Sequence, residues 1–250
     1  MSGEPLRVAT FNIRTARGRD GRDRWRRRRD ICVAAIRGFS ADVVGLQEVR
    51  PRQLADLRRA FPAATLVGEG RDQRGGGEHA TVLVRAGGWQ IESSETRWLS
   101  TNPNRPGSIG WDARLTRVVT LARLRRGAHR LGVANTHFDQ GRLARERSAA
   151  LIVEWLAEEP DRPWIVLGDL NDVPGSPALR LLAEAGYRDP LPRDAGGTEH
   201  GFTGAIDRKR IDYVLAGPGV EVSAAWISHH RPWGALPSDH WPVVADLVVE

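Results

Sequence analysis

The chain has 250 residues, a formal net charge of +6 and a sequence pI of about 10.7, and this length predicts a single domain over residues 1–250. The one cysteine, Cys32, excludes an internal disulfide and a cysteine-based zinc cluster. No apolar run approaches the roughly 18 residues of a membrane span, and the start of the chain lacks the pattern of a secretory signal, so we expect a cytoplasmic protein.

The apolar pattern predicts many strands and a smaller number of helices. Strands are expected in VATFNI and VVGLQE, and helical spacing follows each of them, from about residue 24 to residue 38 and again after Pro51. Beyond a glycine-rich loop, the pattern predicts a strand in EHATVLVR and hairpin-like stretches over residues 89–99 and 117–137. Two helices, over residues 142–158 and 176–185, alternate with the strands WIVLGDLN, RIDYVLA, VEVSAAWI and WPVVADLVV. This succession favours an α/β fold with a two-layer sheet core flanked by helices.

Polar residues of the kind that bind metals and phosphates directly follow several of these apolar runs. They are Asn12, Glu48, His137, Asp169, Asn171, Asp239 and His240. Carboxylates beside buried strands are costly unless something compensates their charge, and a divalent cation with a bound phosphate does so. The pattern therefore predicts one polar site at the strand ends and a hydrolase of phosphate esters.

The densest basic segment of the chain is RDGRDRWRRRRD, residues 19–30. Positive charge favours encounters with polyanions and phosphorylated substrates, and arginine can bind phosphate through two parallel hydrogen bonds. Two interpretations of this segment stay open. It is either the solvated face of a basic helix or a surface that contacts a phosphate backbone.

Six motifs, in order and approximate spacing, resemble the endonuclease/exonuclease/phosphatase superfamily, whose fold is like that of deoxyribonuclease I. They are TFNIR, LQEVR, NTHFD, GDLNDVPGS, RIDYVL and PSDHWPV, and the resemblance runs from Thr10 to about Val244. It implies a four-layer αββα sandwich of two packed mixed β-sheets flanked by helices, with the active site at one edge. NDVPGSPAL and the segment over residues 96–120 are similar to small bacterial members that resemble deadenylases and sphingomyelinases.

The resemblance also implies a metal site and a base. Mg²⁺ or Mn²⁺ would be bound by Glu48 with Asn12 beside it, and Asp239 would complete the carboxylate set. Asp169 would orient and deprotonate the attacking water. Asn171 would donate a hydrogen bond to a non-bridging phosphate oxygen.

Two histidines with acidic partners complete the implied catalytic set. His240 would donate to the phosphate as charge builds, and Asp212 would hold its imidazolium. His137 would bind the phosphate or protonate the leaving oxygen, with Glu78 as its partner. Further contacts to the substrate are expected from Arg114, Arg117, Arg210 and Trp111.

The sequence thus predicts a Mg²⁺- or Mn²⁺-dependent phosphoesterase whose substrate is a small molecule or a nucleic acid, with no membrane and no obligate protein partner. Whether it cleaves monoesters or diesters stays open. One alternative is a nuclease acting on DNA or RNA. Another is a non-catalytic module that binds nucleic acid through its basic surface, but the complete acidic and histidine set favours the enzyme.

Overall fold

The computed structural model describes residues 3–250, which form two β-sheets covered by helices. The first sheet contains β1 (Glu4–Asn12), β2 (Val43–Val49), β3 (Thr65–Val67), β4 (His79–Val84), β10 (Val220–Ile227) and β11 (Val243–Val249), in the order β10-β11-β1-β2-β4-β3. The second contains β5 (Gln90–Trp98), β6 (Val118–Arg126), β7 (His129–His137), β8 (Trp164–Asp169) and β9 (Asp212–Ala216), in that order. The helices are α1 (Trp25–Gly38), α2 (Pro51–Ala60), α3 (Arg142–Ala157) and α4 (Pro177–Glu184).

Three buried apolar layers hold the sheets and helices together. The central layer lies between the sheets and includes Val8 and Val82 from one and Leu124 and Ile165 from the other. A second layer packs α1 and α2 on the first sheet, and a third packs α3 and α4 on the second. The predicted four-layer αββα sandwich is confirmed. Among the described residues, no helix has the length and apolar character needed to cross a bilayer.

Strand direction brings the ends of four strands to one edge of the sandwich. In the first sheet β1 and β2 are parallel, with Asn12 opposite Gln47. In the second sheet β7 and β8 are parallel, with His137 opposite Asp169, and the antiparallel β9 begins there at Asp212. Because parallel strands end on the same side, side chains from both sheets meet at this edge.

A buried polar bridge between the sheets lies just behind that edge. Gln47 Nε2 donates to Asn135 Oδ1 at 2.6 Å and to Thr10 Oγ1 at 3.0 Å. The amide of Asn135 in turn donates to the carbonyl of Leu46 at 3.1 Å. Gly45 leaves the space for this contact, since a Cβ there would lie 2.7 Å from Asn135 Oδ1. The bridge fixes how the two sheets are placed relative to each other.

The basic segment over residues 19–30 divides into exposed and buried arginines. Arg28 is only 2% exposed, and its guanidinium donates to the carbonyls of Ile13 at 2.6 Å, Arg14 at 2.7 Å, Asp23 at 2.8 Å and Pro237 at 3.1 Å. It therefore ties α1 to the two chain segments that follow β1 and precede β11. The exposed neighbours are Arg26, Arg27 and Arg29. These three arginines lie on a solvent-exposed face of α1, whereas the side chain of Arg28 is buried in the interior.

We expect Arg28→Met to lower the free energy of unfolding by about 2–4 kcal/mol, because four carbonyl groups lose a charged donor. Urea unfolding followed by circular dichroism measures the loss. Arg27→Met, one residue away and exposed, is the matched control and should change stability by less than about 0.5 kcal/mol. Equal stability of the two variants would show that Arg28 does not hold these segments.

Candidate active site

Asn12 joins carboxylates that come from different sheets. Its side-chain nitrogen donates to Glu48 Oε1 at 3.1 Å and to Asp169 Oδ2 at 2.9 Å. Its Oδ1 accepts from the backbone nitrogen of Arg14 at 3.0 Å, and the residue is 1% exposed. One amide thus fixes the separation of Glu48, on the first sheet, from Asp169, on the second.

A bulge in β2 directs Glu48 to the site. The pairing of β2 with β4 shifts register between Leu46 and Val49, and Glu48 has a φ of +62°. Bulges redirect side chains, and a left-handed backbone at a residue other than glycine persists only where the surroundings impose it. Here the backbone nitrogen of Thr15 donates to Glu48 Oε2 at 2.6 Å. The carboxylate is held at both oxygens.

Asp169 is a buried carboxylate that binds its proton unusually tightly. Burial raises its pKa to about 7, and the nearby Asp212 adds to this effect, while His240 and the hydrogen bond from Asn12 oppose it. The backbone nitrogen of Asn171 donates to Asp169 Oδ1 at 3.0 Å. A carboxylate with a pKa near neutrality and a fixed orientation is suited to accept a proton from water.

His240 has the opposite electrostatic character. Its Nδ1 lies 2.9 Å from Asp212 Oδ2 and 3.9 Å from Asp169 Oδ2. Burial lowers the pKa of His240, but the charge and hydrogen bond of Asp212, together with Asp169 and Asp239, raise it well above its usual value. His240 is therefore an imidazolium at neutral pH and can donate to a group that gains negative charge.

Asp239 and an arginine that the sequence analysis missed complete the centre. Asp239 Oδ1 accepts from Ser238 Oγ at 3.2 Å, and Arg14 Nη1 lies 3.5 Å from Asp239 Oδ2. Burial and Glu48 raise the pKa of Asp239, whereas His240 and Arg14 lower it. The position of Arg14 in TFNIR, two residues after Asn12, is the signal that could have identified it.

The balance of charge at the centre fits a divalent cation. Four carboxylates converge there, those of Glu48, Asp169, Asp212 and Asp239. The positive groups beside them are the imidazolium of His240 and Arg14, and Arg14 is also paired with Asp20 at 3.0 Å. Ligand atoms of Asp169, Asp212 and His240 lie within 4.8 Å of one another and could hold a metal ion. Since His240 Nδ1 already donates to Asp212, the oxygen atoms of the group suit a hard cation better than this nitrogen does.

His137 closes one side of the centre, with Nε2 at 3.5 Å from Asp169 Oδ2. Burial lowers its pKa well below the usual value, and Arg117, Arg71 and His240 lower it further, so His137 is neutral at pH 7. The expected pairing of His137 with Glu78 is not found: Glu78 forms an ion pair with Arg71 at 2.7 Å, and His137 Nδ1 has no hydrogen-bond partner in residues 3–250. Arg71 reaches Glu78 because the two residues lie opposite each other, where the backbone nitrogen of Arg71 also donates to the carbonyl of Glu78 at 3.0 Å.

Asn171 occupies the predicted place beside Asp169. It has a φ of +49°, and its side-chain nitrogen donates to the carbonyl of Phe138 at 2.8 Å. The second hydrogen of that amide is available for a phosphate oxygen.

The four residues expected to contact substrate differ in burial and in their partners. Arg117 is buried beside His137 and Asp139. Arg210 is a correction, because its guanidinium is buried against Asp189 Oδ2 at 2.6 Å and serves the interior of the protein. Arg114 is exposed, and Trp111 is half-buried with a φ of +56°.

Comparisons with known proteins identify the family of the chain. The model of the Endonuclease/Exonuclease/phosphatase family matches residues 9–240, and no curated protein matches the chain. The chain is similar to an endonuclease/exonuclease/phosphatase from Bacteroides vulgatus, with 33% identity, a TM-score of 0.87, and coverage of 99% of this chain and 100% of the other.

Two further solved structures are similar over nearly their whole length. The mannosyl-6-phosphatase Bt3783 of Bacteroides thetaiotaomicron has 28% identity and a TM-score of 0.87, with coverage of 97% of this chain and 99% of the other. TDP2 of D. rerio, complexed with single-strand DNA product, has 18% identity and a TM-score of 0.73, with coverage of 98% and 99%, and shows likeness of fold alone. The chain belongs to the endonuclease/exonuclease/phosphatase family.

Proposed function

We propose that the protein hydrolyses phosphate esters with the aid of Mg²⁺ or Mn²⁺, and that Asp169 activates the water that attacks phosphorus in line. One observation carries the proposal. Asp169 is a buried carboxylate whose two oxygens accept hydrogen bonds from Asn12 Nδ2 at 2.9 Å and from the backbone nitrogen of Asn171 at 3.0 Å, so its orientation is fixed, and burial raises its pKa and thus its basicity. The 28% identity with a mannosyl-6-phosphatase supports a phosphoesterase.

The metal would be held at the site of Glu48, Asn12 and Asp239. Glu48 and Asp239 offer carboxylate oxygens, the ligands that Mg²⁺ and Mn²⁺ prefer, while Asn12 lies beside them and orients Glu48 through the hydrogen bond from its Nδ2. When bound, the cation supplies positive charge against the phosphate oxygens and offsets the excess of carboxylates.

The residues of the chain account for the proton transfers. Asp169 takes a proton from water, while Asn12 and the backbone of Asn171 keep its carboxylate aimed. The imidazolium of His240, held by Asp212, donates to a non-bridging phosphate oxygen as its negative charge grows. Asn171 donates to a phosphate oxygen through its free amide hydrogen.

His137 fits only one of its two expected roles. Because its lowered pKa leaves it neutral, it has no extra proton to give to a leaving alcohol at pH 7. A neutral imidazole still donates one hydrogen bond, so we assign His137 to binding the phosphate.

The alternatives are weaker. The complete set of acidic and histidine residues argues against a non-catalytic nucleic-acid-binding module, since such a module has no need of a buried base and imidazolium. A nuclease activity rests on the exposed arginines of residues 19–30, which alone do not define a substrate. The cytoplasmic location and the lack of a membrane or obligate protein partner stay predictions.

We expect Glu48→Gln to raise the concentration of Mg²⁺ or Mn²⁺ needed for half-maximal activity by at least about tenfold, because it removes a negative ligand while it keeps the volume of the side chain. Hydrolysis of p-nitrophenyl phosphate and bis-p-nitrophenyl phosphate over a metal titration measures this. Glu154→Gln, at an exposed position of α3, is the control. A parental metal dependence in the Glu48 variant would remove Glu48 from the metal site.

We also expect His240→Ala and Asp169→Asn each to reduce kcat by about 10² or more, since general-base and electrostatic stabilisation typically supply that much. Stopped or continuous assays at saturating metal give kcat, and circular dichroism confirms the fold. The exposed His230 and Asp161 provide the matched control changes, His230→Ala and Asp161→Asn. Near-parental turnover in both site variants would leave the mechanism without support.

A further inference from the structure

Thr198 links the two chain segments that carry Asp212 and His240. The residue is fully buried, and its side-chain oxygen accepts hydrogen bonds from the backbone nitrogens of Ile211 at 3.0 Å and Asp212 at 3.2 Å. Its carbonyl oxygen accepts from the backbone nitrogen of Trp241, the residue directly after His240, at 2.7 Å. One buried threonine is therefore bonded to the backbone on both sides of the ion pair.

The hydroxyl of Thr198 also fixes the backbone conformation where β9 begins. Successive N–H groups of a regular strand point to opposite sides, whereas those of Ile211 and Asp212 both reach the same oxygen atom. The backbone at this point therefore departs from regular strand geometry, and the threonine hydroxyl satisfies two buried donors that the strand ladder does not.

The carboxylate of Asp212 has little direct support of its own. Its Oδ2 lies 2.9 Å from His240 Nδ1, and its Oδ1 is buried with no hydrogen-bond partner in the part of the chain that the structure describes. Asp169 differs, because hydrogen bonds from other residues hold both of its oxygens. The direction in which the side chain of Asp212 points therefore depends on its backbone, which Thr198 holds.

The loop that starts at Thr198 holds His240 as well. The backbone nitrogen of His200 donates to the carbonyl of Asp239 at 2.8 Å, and the imidazole of His200 lies against the indole of Trp241, with ring centroids 4.4 Å apart. Asp239 and Trp241 flank His240 in the chain, so these contacts fix its position. Since the hydroxyl at the start of the loop holds the acidic partner of His240, the loop sets the separation of the two side chains.

We propose that Thr198 is a positioning residue, whose hydroxyl sets the hydrogen bond between Asp212 and His240. The inference rests on the proposed hydrolase function, in which His240 donates to the phosphate. Without the hydroxyl, two buried N–H groups lose their acceptor, and the backbone moves to satisfy them. The carboxylate of Asp212 moves with it, and the imidazolium is then held in a less favourable position. A small misplacement of a catalytic group is costly in rate.

Replacement of Thr198 by valine, which has the same shape without the hydroxyl, tests this role. We expect Thr198→Val to lower kcat by about tenfold or more, with Mn²⁺ and whichever of p-nitrophenyl phosphate and bis-p-nitrophenyl phosphate the parent hydrolyses. KM should stay within about twofold of the parental value, because His240 acts mainly on charge that develops in the transition state. Thr198→Ser keeps the hydroxyl and should retain kcat within about threefold.

Thr203→Val is the matched control. It removes a hydroxyl from the same loop, but this hydroxyl donates to the carbonyl of His200 at 2.6 Å and accepts from the nitrogen of Ala205 at 3.2 Å, so its hydrogen bonds stay within the loop. The kcat of this variant should stay within about twofold of the parental value. A loss of kcat as large as that in Thr198→Val would show that any loosening of the loop suffices, and would overturn the inference.

A double-mutant cycle separates positioning from a general loss of packing. In His240→Ala there is no imidazole to position, so the addition of Thr198→Val should lower kcat by less than about a further twofold. The same factor of loss with and without His240 overturns the inference alone, as does a parental kcat in Thr198→Val. Thr198→Ala removes the same acceptor and takes the place of Thr198→Val in the cycle if circular dichroism shows that the valine variant does not fold. A parent that hydrolyses neither ester overturns the proposed function, and this inference with it.

Discussion

The hydrogen bonds from one buried amide, that of Asn12, organise the whole site. Asn12 Nδ2 donates to a carboxylate from each sheet, Glu48 at 3.1 Å and Asp169 at 2.9 Å. These contacts need the two sheets in one relative position, and the bridge from Gln47 to Asn135 directly behind them provides it. The carbonyl of Asn12 also accepts from Ser238 Oγ at 2.7 Å, which places the segment that carries Asp239 and His240. The packing of the two sheets thus sets the distances between the side chains of the site at one edge of the sandwich.

The site is arranged for chemistry at a cost to stability. Buried carboxylates repel one another, and Glu48 and Asn171 adopt left-handed backbone conformations that are unfavourable for such residues. Burial, with the repulsion from Asp212, raises the pKa of Asp169 to about 7, while Asp212 keeps His240 protonated. Two neighbouring groups are therefore held in opposite states, one ready to accept a proton and the other to donate a hydrogen bond. A bound divalent cation would relieve the repulsion and would couple the stability of the edge to metal binding.

The sequence predicts the strands and helices well, because hydrophobic periodicity is a local property of the chain. Residues at strand ends can be predicted from it too, since they come directly after an apolar run. The sequence also predicts that Asn12, Glu48 and Asp169 lie together, since their motifs fall at strand ends, whereas His240 lies just before β11. The side-chain pairings between distant segments could not be predicted. Arg28 looks like one of several exposed arginines, but its partners include the carbonyl of Pro237, 209 residues away. The ion pairs of Glu78 with Arg71 and of Arg210 with Asp189 could not be predicted either. They depend on the conformation of loops, which hydrophobic periodicity does not indicate.

The central claim is that the converging carboxylates bind a divalent cation and that Asp169 must lose its proton when they do. Isothermal titration of the metal-free protein with Mn²⁺, in buffers of different ionisation enthalpy, measures both binding and proton release. We expect saturable binding, with a proton release that increases as the pH is lowered from about 8 to about 6 through the raised pKa of Asp169. Over the same interval the affinity for Mn²⁺ should fall. Absence of binding, or binding with no proton release at any pH in this range, would contradict the account.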